Sequence, residues 1–244
     1  MLRQRAYLVE ANPDLDKKNR SIAIGFFREL VAFLKARPEK LMAVDNDFVI
    51  RAKWFWNHPS ANNLLIKFTP SHDVARGTRM TGGIGHTPDK KYIVLVFSAL
   101  LGPGDKSYLA TRLQKDVVIH EVIHLLDPGF EKSKGGVHRY SAKGTSGGMD
   151  WDNYYNDPSE WNAMWQEGAA KAERLIKSDA FRENQGKNKA IRLFFGDGTV
   201  SGFVKSAHHI WNDGFLEHMN KKTKRKFDKR LAQLWKSFKE DGLL

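Results

Sequence analysis

Apolar residues recur at helical spacing in several parts of the chain. One such stretch covers residues 21–36, with apolar side chains at Ile22, Phe26 and Leu30, and it ends before Pro38. Because residues four apart lie on one face of a helix, this spacing predicts an amphipathic helix packed on a core. The same pattern predicts further helices over residues 107–126, 159–176, 201–219 and 223–240.

Strand-like runs occupy much of the first half of the chain. Residues 48–56 and 64–68 are rich in β-branched and aromatic side chains, and we expect the tryptophans among them to be core residues. Residues 77–97 predict a hairpin whose turn is Thr87-Pro-Asp-Lys90. The first strand of this hairpin contains the run Gly82-Gly-Ile-Gly85, which allows another backbone to approach closely.

Helices and strands in this order predict an α+β fold. We expect a small, mostly antiparallel sheet packed on one buried helix, followed by a helical C-terminal part. Three regions are predicted: a polar N-terminal arm over residues 1–20, one domain over 21–200, and a basic helical extension over 201–244 that packs on it. Residues 128–153 are predicted to form an irregular loop, long enough to suggest a functional role.

Charge and composition narrow the chemistry. The net charge is +12, and the segment Lys221–Lys239 holds nine Lys or Arg against one Asp. This segment is either a solvated helix face or a surface for an anionic partner such as a wall polymer or nucleic acid. The chain has no cysteine, so any metal must be held by His, Asp or Glu. No apolar run is long enough for a transmembrane segment or a signal peptide, so we expect a cytoplasmic or virion-associated protein.

The predicted helix 107–126 contains the pattern His-Glu-x-x-His as His120-Glu-Val-Ile-His124. Two histidines four residues apart lie one above the other on a helix, so both imidazoles can reach one ion. Glu121 is displaced by about 100° around the helix axis and can serve as a general base beside the ion. Apolar residues surround the pattern, so the helix is expected to be buried, where unpaired charges are costly. The structural alternative is a pair of core histidines held by hydrogen bonds.

A catalytic zinc site needs a third protein ligand. In the extended three-histidine pattern, Gly and His would stand where this chain has Asp127 and Phe130, so that class is excluded, and Met149 is not its Met-turn. Glu160, in the first turn of the next predicted helix, is the favoured third ligand. Loop residues remain as alternatives, namely His138, Asp150 and Asp152. Glu167 and Glu173 lie farther along the same predicted helix and are weaker candidates.

The order of these elements over about residues 78–176 resembles the glutamate-type zincins, including the anthrax lethal-factor-like peptidases. The resemblance implies a zincin-like fold with His120, His124 and Glu160 as Zn²⁺ ligands and Glu121 as the base. It further implies that Asp127 orients a ligand imidazole. A Tyr or His that stabilises the oxyanion is also implied, and the candidates are Tyr154, Tyr155, His208 and His209.

These features predict a zinc metalloendopeptidase that hydrolyses peptide bonds in a protein or a bacterial wall peptide, and a phage or bacterial origin would fit it. The substrate would pair with the glycine-rich edge strand, which is the usual arrangement in the resembled family. One alternative is a catalytically silent, zincin-fold structural or assembly protein, for example of a virion. Another is a nucleic-acid-binding module, which would explain the charge and leave the His-Glu-x-x-His helix unexplained.

Overall fold

The computed structural model describes residues 13–70, 81–99, 109–127, 151–178, 199–206, 210–211 and 213–243. The described part of the chain has an α+β fold. Its helices are α1 (Pro13–Ala36), α2 (Leu109–Arg112), α3 (Lys115–Leu126), α4 (Trp151–Asn156), α5 (Pro158–Ile176), α6 (Val200–Ser206), α7 (Asp213–Glu217) and α8 (Lys221–Glu240). Its strands are β1 (Met42–Val44), β2 (Asp47–Arg51), β3 (Leu64–Pro70), β4 (Thr81–His86) and β5 (Ile93–Ala99). Short 3₁₀ helices cover Pro38–Lys40, Ala52–Trp54 and Pro59–Asn63.

By its internal contacts the chain divides into two compact units. One comprises residues 19–139, and the other comprises residues 1–18 together with 140–244. The first is called the sheet unit and the second the helical unit, and each is described by itself. The predicted boundaries at residues 20 and 200 stay predictions.

The sheet unit contains a five-stranded mixed sheet in the order β1-β2-β3-β5-β4. Three of its four strand pairs are antiparallel, whereas β3 and β5 run parallel. Alternate residues of the central strands are buried, so that Ile66 lies opposite Leu95 and Phe68 opposite Phe97 in one core layer. Among the described strands, β4 is at one end of the order. Helix α3 packs against β4.

The predicted hairpin is confirmed in its described part, because β4 and β5 pair antiparallel with His86 opposite Ile93. The turn between them lies where the sequence predicts it, since the Lys90 amide donates to the Thr87 carbonyl at 2.8 Å. A hydrogen bond from the Thr87 hydroxyl, followed by one from the Lys91 amide, lowers the pKa of Asp89 below its ordinary value. Turn chemistry in the sequence therefore defines this connection.

Several predicted element boundaries in the first half of the chain are wrong. Helix α1 begins at Pro13, not Ser21, so the described part of the predicted arm is helical. The strand predicted over residues 48–56 ends at Arg51, and Ala52–Trp54 form a 3₁₀ helix. Trp54 is 39% exposed, so it is not a core residue. Trp56 is buried and contacts Phe26 of α1 edge to face, with 4.9 Å between ring centroids.

The predicted helix over residues 107–126 is interrupted. Helix α2 ends at Arg112 and α3 begins at Lys115, because Gln114 has an extended backbone (φ −85°, ψ 116°) and serves as the N-cap of α3. Within the predicted helix 201–219, the described residues form two short helices, α6 and α7. Residues 151–153, the end of the predicted irregular loop, belong to α4, and residues 128–150 lie outside the described part of the chain.

The helical unit is built around an aromatic core shared by α5 and α8. The predicted apolar face of α8 is buried in this core, through Phe227, Leu231, Leu234, Trp235 and Phe238. Helix α5 contributes Trp161 and Trp165, whose rings are parallel with centroids 6.1 Å apart. The amphipathic pattern of α8 thus predicted both its length and its buried side.

Two cations of α8 are directed inward, onto this aromatic core. The Lys226 ammonium lies 4.2 Å from the centre of the Trp161 ring, and the Arg230 guanidinium carbon lies 4.8 Å from it. Arg230 is buried and pairs with Asp16 at 3.3 Å. The exposed Lys and Arg of the helix are Lys221, Lys222, Lys224, Arg225, Lys229, Lys236 and Lys239.

Candidate metal centre

Helix α3 carries the two histidines of the His-Glu-x-x-His pattern. Apolar residues on its other faces are buried, which fixes the helix in the core of the sheet unit. The helix ends at Leu126 because Pro128 disfavours a helical conformation for the preceding residue, and Asp127 accordingly has ψ 120°. His120, Glu121 and His124 are each only 7% exposed.

The two imidazoles converge through their Nε2 atoms. These atoms are 3.1 Å apart, and the ring planes are inclined at 74°. The usual Zn–N distance is about 2.05 Å. With the two nitrogens 3.1 Å apart, an ion at that distance from both would have an N–Zn–N angle of about 98°, near the tetrahedral value of about 109°. Without an ion, one imidazole can donate a hydrogen bond to the other at the same distance. The pair therefore fits a tetrahedral metal ion without rearrangement of α3.

Glu121 packs against strand β4. A β-carbon placed on Gly82 would lie 2.6 Å from Cγ and 2.8 Å from Oε1 of Glu121. The carboxylate therefore occupies space that a side chain at position 82 would otherwise fill. The sequence singled out Gly82 only as part of a glycine-rich strand, because its contact with Glu121 is made between elements distant in sequence.

Glu160 is held in the first turn of α5. The side chain of Asp157 caps this helix by accepting hydrogen bonds from the Ser159 amide at 2.9 Å and the Glu160 amide at 3.3 Å. Pro158 occupies the first helical position, where its missing N–H costs nothing. The amide of Asp157 itself donates to the Tyr154 carbonyl at 3.2 Å. The backbone around Glu160 is thus well defined, and its side chain is half-buried.

The ligand atoms of His120, His124 and Glu160 all lie within 4.8 Å of one another. Two neutral imidazole nitrogens and one carboxylate oxygen are a donor set that holds a divalent transition metal. This buried group could therefore bind a metal ion. It comprises the same three residues that the sequence predicts as ligands.

The two tyrosines proposed for the oxyanion have different surroundings. Tyr155 is buried, and its ring stacks on Trp151 at 5.6 Å and on His218 at 5.7 Å. Burial, together with the charge of Glu167, raises the pKa of Tyr155 above its ordinary 10.0, so its phenol stays protonated at neutral pH. Tyr154 is half-buried against the same aromatic core. A role in catalysis stays a prediction for both.

The alternative ligands fall in several places. Asp152 is exposed, and its Oδ1 lies 2.7 Å from Nδ1 of His218, a partner that the sequence analysis missed. Glu173 is half-buried and pairs with Lys177 of the same helix turn at 2.6 Å. Two further ligand candidates, His138 and Asp150, lie outside the described residues, as do the oxyanion candidates His208 and His209.

Comparison with known proteins adds no relative. No protein-family model, curated protein or solved structure matches this chain. Among the helices that the structure describes, none is both long and apolar enough to span a membrane. These comparisons therefore supply no evidence about its function.

Proposed function

We propose that this protein is a zinc-dependent metallopeptidase of the zincin type, which hydrolyses peptide bonds in a protein or a bacterial wall peptide. The observation that carries the proposal is the clustering of the His120, His124 and Glu160 ligand atoms within 4.8 Å. Glu121, between the two histidines in sequence, is buried with them. The resemblance of residues 78–176 to the glutamate-type zincins supports the same assignment.

The donor set favours zinc over the common hard cations. Two imidazoles and one carboxylate match the three-ligand arrangement of catalytic zinc sites, which leave the fourth position open. Magnesium and calcium prefer cages made of oxygen atoms, and magnesium also requires octahedral coordination. The chain has no cysteine, so a four-thiolate structural zinc site is excluded.

Glu121 is the proposed general base. Its carboxylate would accept a proton from the attacking water and return it to the leaving amine, a role that needs a carboxylate beside the ion and outside its coordination sphere. A zinc ion, when bound, would lower the pKa of a water molecule and polarise the scissile carbonyl. Tyr154 or Tyr155 would donate a hydrogen bond to the oxyanion, and the phenol of Tyr155 is protonated at neutral pH.

We further propose that the substrate pairs with β4 as an additional strand. In the described sheet, β4 has β5 on one side and is last in the strand order. The backbone at Gly82 is exposed, so a peptide could reach its polar groups. The exposed cations of α8 would suit an anionic partner such as a wall polymer or nucleic acid.

Metal content tests the ligand assignment. Protein purified without added metal and then dialysed against zinc should bind about one ion per chain. His120→Ala and Glu160→Gln should each weaken binding strongly. Glu173→Gln is the matched control, because it neutralises a carboxylate of the same helix that pairs with Lys177. Equal zinc affinity in Glu160→Gln and the wild type would contradict Glu160 as a ligand.

Peptide cleavage tests the reaction. Glu121→Gln preserves the size of the side chain and removes its basicity, so it should retain zinc and lose about 10²–10⁴-fold in kcat on a peptide library. Asp116→Asn is the control, since it neutralises a half-buried carboxylate on the same helix. Undiminished cleavage by Glu121→Gln would contradict the mechanism. Zinc binding by a wild-type protein that cleaves no peptide would favour the catalytically silent structural protein.

A further inference from the structure

We propose that Gly82 is a positioning residue that holds the Glu121 carboxylate in place by having no side chain. Gly82 lies on β4 opposite Phe97 of β5. A β-carbon there would come within 2.6 Å of Glu121 Cγ and 2.9 Å of Val117 Cγ1. Separations below 3.0 Å are essentially never found for real β-carbons, so a side chain at position 82 and the present position of Glu121 exclude each other.

The requirement is specific to one glycine of the run. A β-carbon at Gly83 or at Gly85 would meet no atom of the described residues within 4 Å. Successive residues of a strand point to opposite faces of the sheet. Gly82 therefore faces α3, whereas Gly83 and Gly85 belong to the opposite face. Of the three glycines in this run, only Gly82 therefore affects the position of the proposed general base.

The closest contact is made by Cγ, the second methylene of Glu121, and not by the end of its side chain. Rotation about the outer bonds would move the carboxylate oxygen and leave Cγ at 2.6 Å. Helix α3 is fixed by buried residues on its other faces, including Val118 and Val122. We therefore expect an alanine at position 82 to turn Glu121 about its χ1 bond, which withdraws the carboxylate while both histidines stay in place.

Thermal unfolding of metal-free protein tests this contact without reference to catalysis. Gly82→Ala should lower Tm by roughly 2–12 °C, the range expected for overpacking in a chain of this size. Gly83→Ala should change Tm little. In a Glu121→Ala background the fall in Tm caused by Gly82→Ala should be smaller by about a third or more, because the contact with Cγ of Glu121 is absent. An equal loss in both backgrounds would overturn the inference.

The catalytic consequence rests on the proposed function and is measured separately. In zinc-loaded Gly82→Ala we expect full zinc content, a KM within about twofold of the wild type, and a kcat on the peptide library reduced about 10²-fold or more. Gly25 is in a helix, and its β-carbon would contact none of the described residues, so Gly25→Ala should leave kcat unchanged.

An unchanged kcat in Gly82→Ala, alongside a lower Tm, would show that Gly82 only packs, and would overturn its positioning role. Absence of hydrolysis in the wild type would overturn the proposed function instead. The comparison of Tm for Gly82→Ala in the wild-type and Glu121→Ala backgrounds would still decide whether Gly82 and Glu121 compete for the same space.

Discussion

Replacing Gly168 with alanine adds one methyl group where α5 contacts the Trp211 ring. The new β-carbon would overlap Nε1 and Cε2 of the indole. Heavy atoms in ordinary contact are about 3.5–4.0 Å apart. Because both atoms belong to a rigid ring, rotation of a flexible end cannot relieve the clash, and the whole indole has to move.

The cost follows from what Trp211 contacts. Its ring stacks on Trp165 at 5.3 Å and meets Phe227 edge to face at 5.2 Å. Loss of two aromatic pairs costs about 1–3 kcal/mol, and strain from overpacking costs about 1–3 kcal/mol more. Alanine regains about 1 kcal/mol over glycine in a helix. We expect a net loss of about 3 kcal/mol, or a fall in Tm of roughly 6–12 °C.

Urea and thermal unfolding followed by far-ultraviolet circular dichroism would measure this loss. Gly25→Ala is the matched control, since Gly25 is also helical and a β-carbon there would meet nothing within 4 Å in the part of the chain that the structure describes. That variant should keep or raise the stability of the wild type, by up to about 1 kcal/mol. A Gly168→Ala protein as stable as Gly25→Ala would refute the packing described for Trp211.

Two further predictions concern charge and capping. Burial, followed by the charge of Arg230, lowers the pKa of Lys226 from 10.5 to about 8. Between these two pH values the unfolded chain binds more protons than the folded chain, so the free energy of unfolding should rise with pH across that window. Lys226→Met should flatten this rise in urea titrations, and an unaltered slope would contradict the burial of Lys226. Asp157→Ala should lower the free energy of unfolding by about 1 kcal/mol and weaken zinc binding through Glu160. Asp157→Asn should retain most of the stability and most of the zinc affinity, and equal losses in the two variants would argue against the cap.

Long periodic segments were predictable from the sequence. The predicted bounds of α5 and α8 differ from the structure by no more than two residues, because each helix has a continuous apolar face and α5 also has an Asp-Pro start. Short elements were not predictable in this way. The aromatic run after Arg51 has strand propensity, yet Ala52–Trp54 form a 3₁₀ helix, because tertiary packing overrides propensity over a few residues.

In the candidate site too, features set by local spacing were predictable and features set by long-range folding were not. The spacing of His120 and His124 places both imidazoles on one face of a helix, so their convergence could be predicted. Glu160 could only be proposed, since its distance from the histidines depends on folding of the intervening residues. Gly82 carries no signal of its own in the sequence, because the atom it must avoid belongs to a residue 39 positions later.

The seven tryptophans are unevenly divided between the two units. Trp54 and Trp56 belong to the sheet unit, and the other five belong to the helical unit. The nearly parallel rings of Trp165 and Trp211 are 5.3 Å apart, close enough for their electronic transitions to couple. The near-ultraviolet circular dichroism and the intrinsic fluorescence of the protein therefore report mainly on the helical unit. Loss of the sheet unit alone would leave much of this optical signal intact, so a second probe in the sheet is needed to follow the residues around His120.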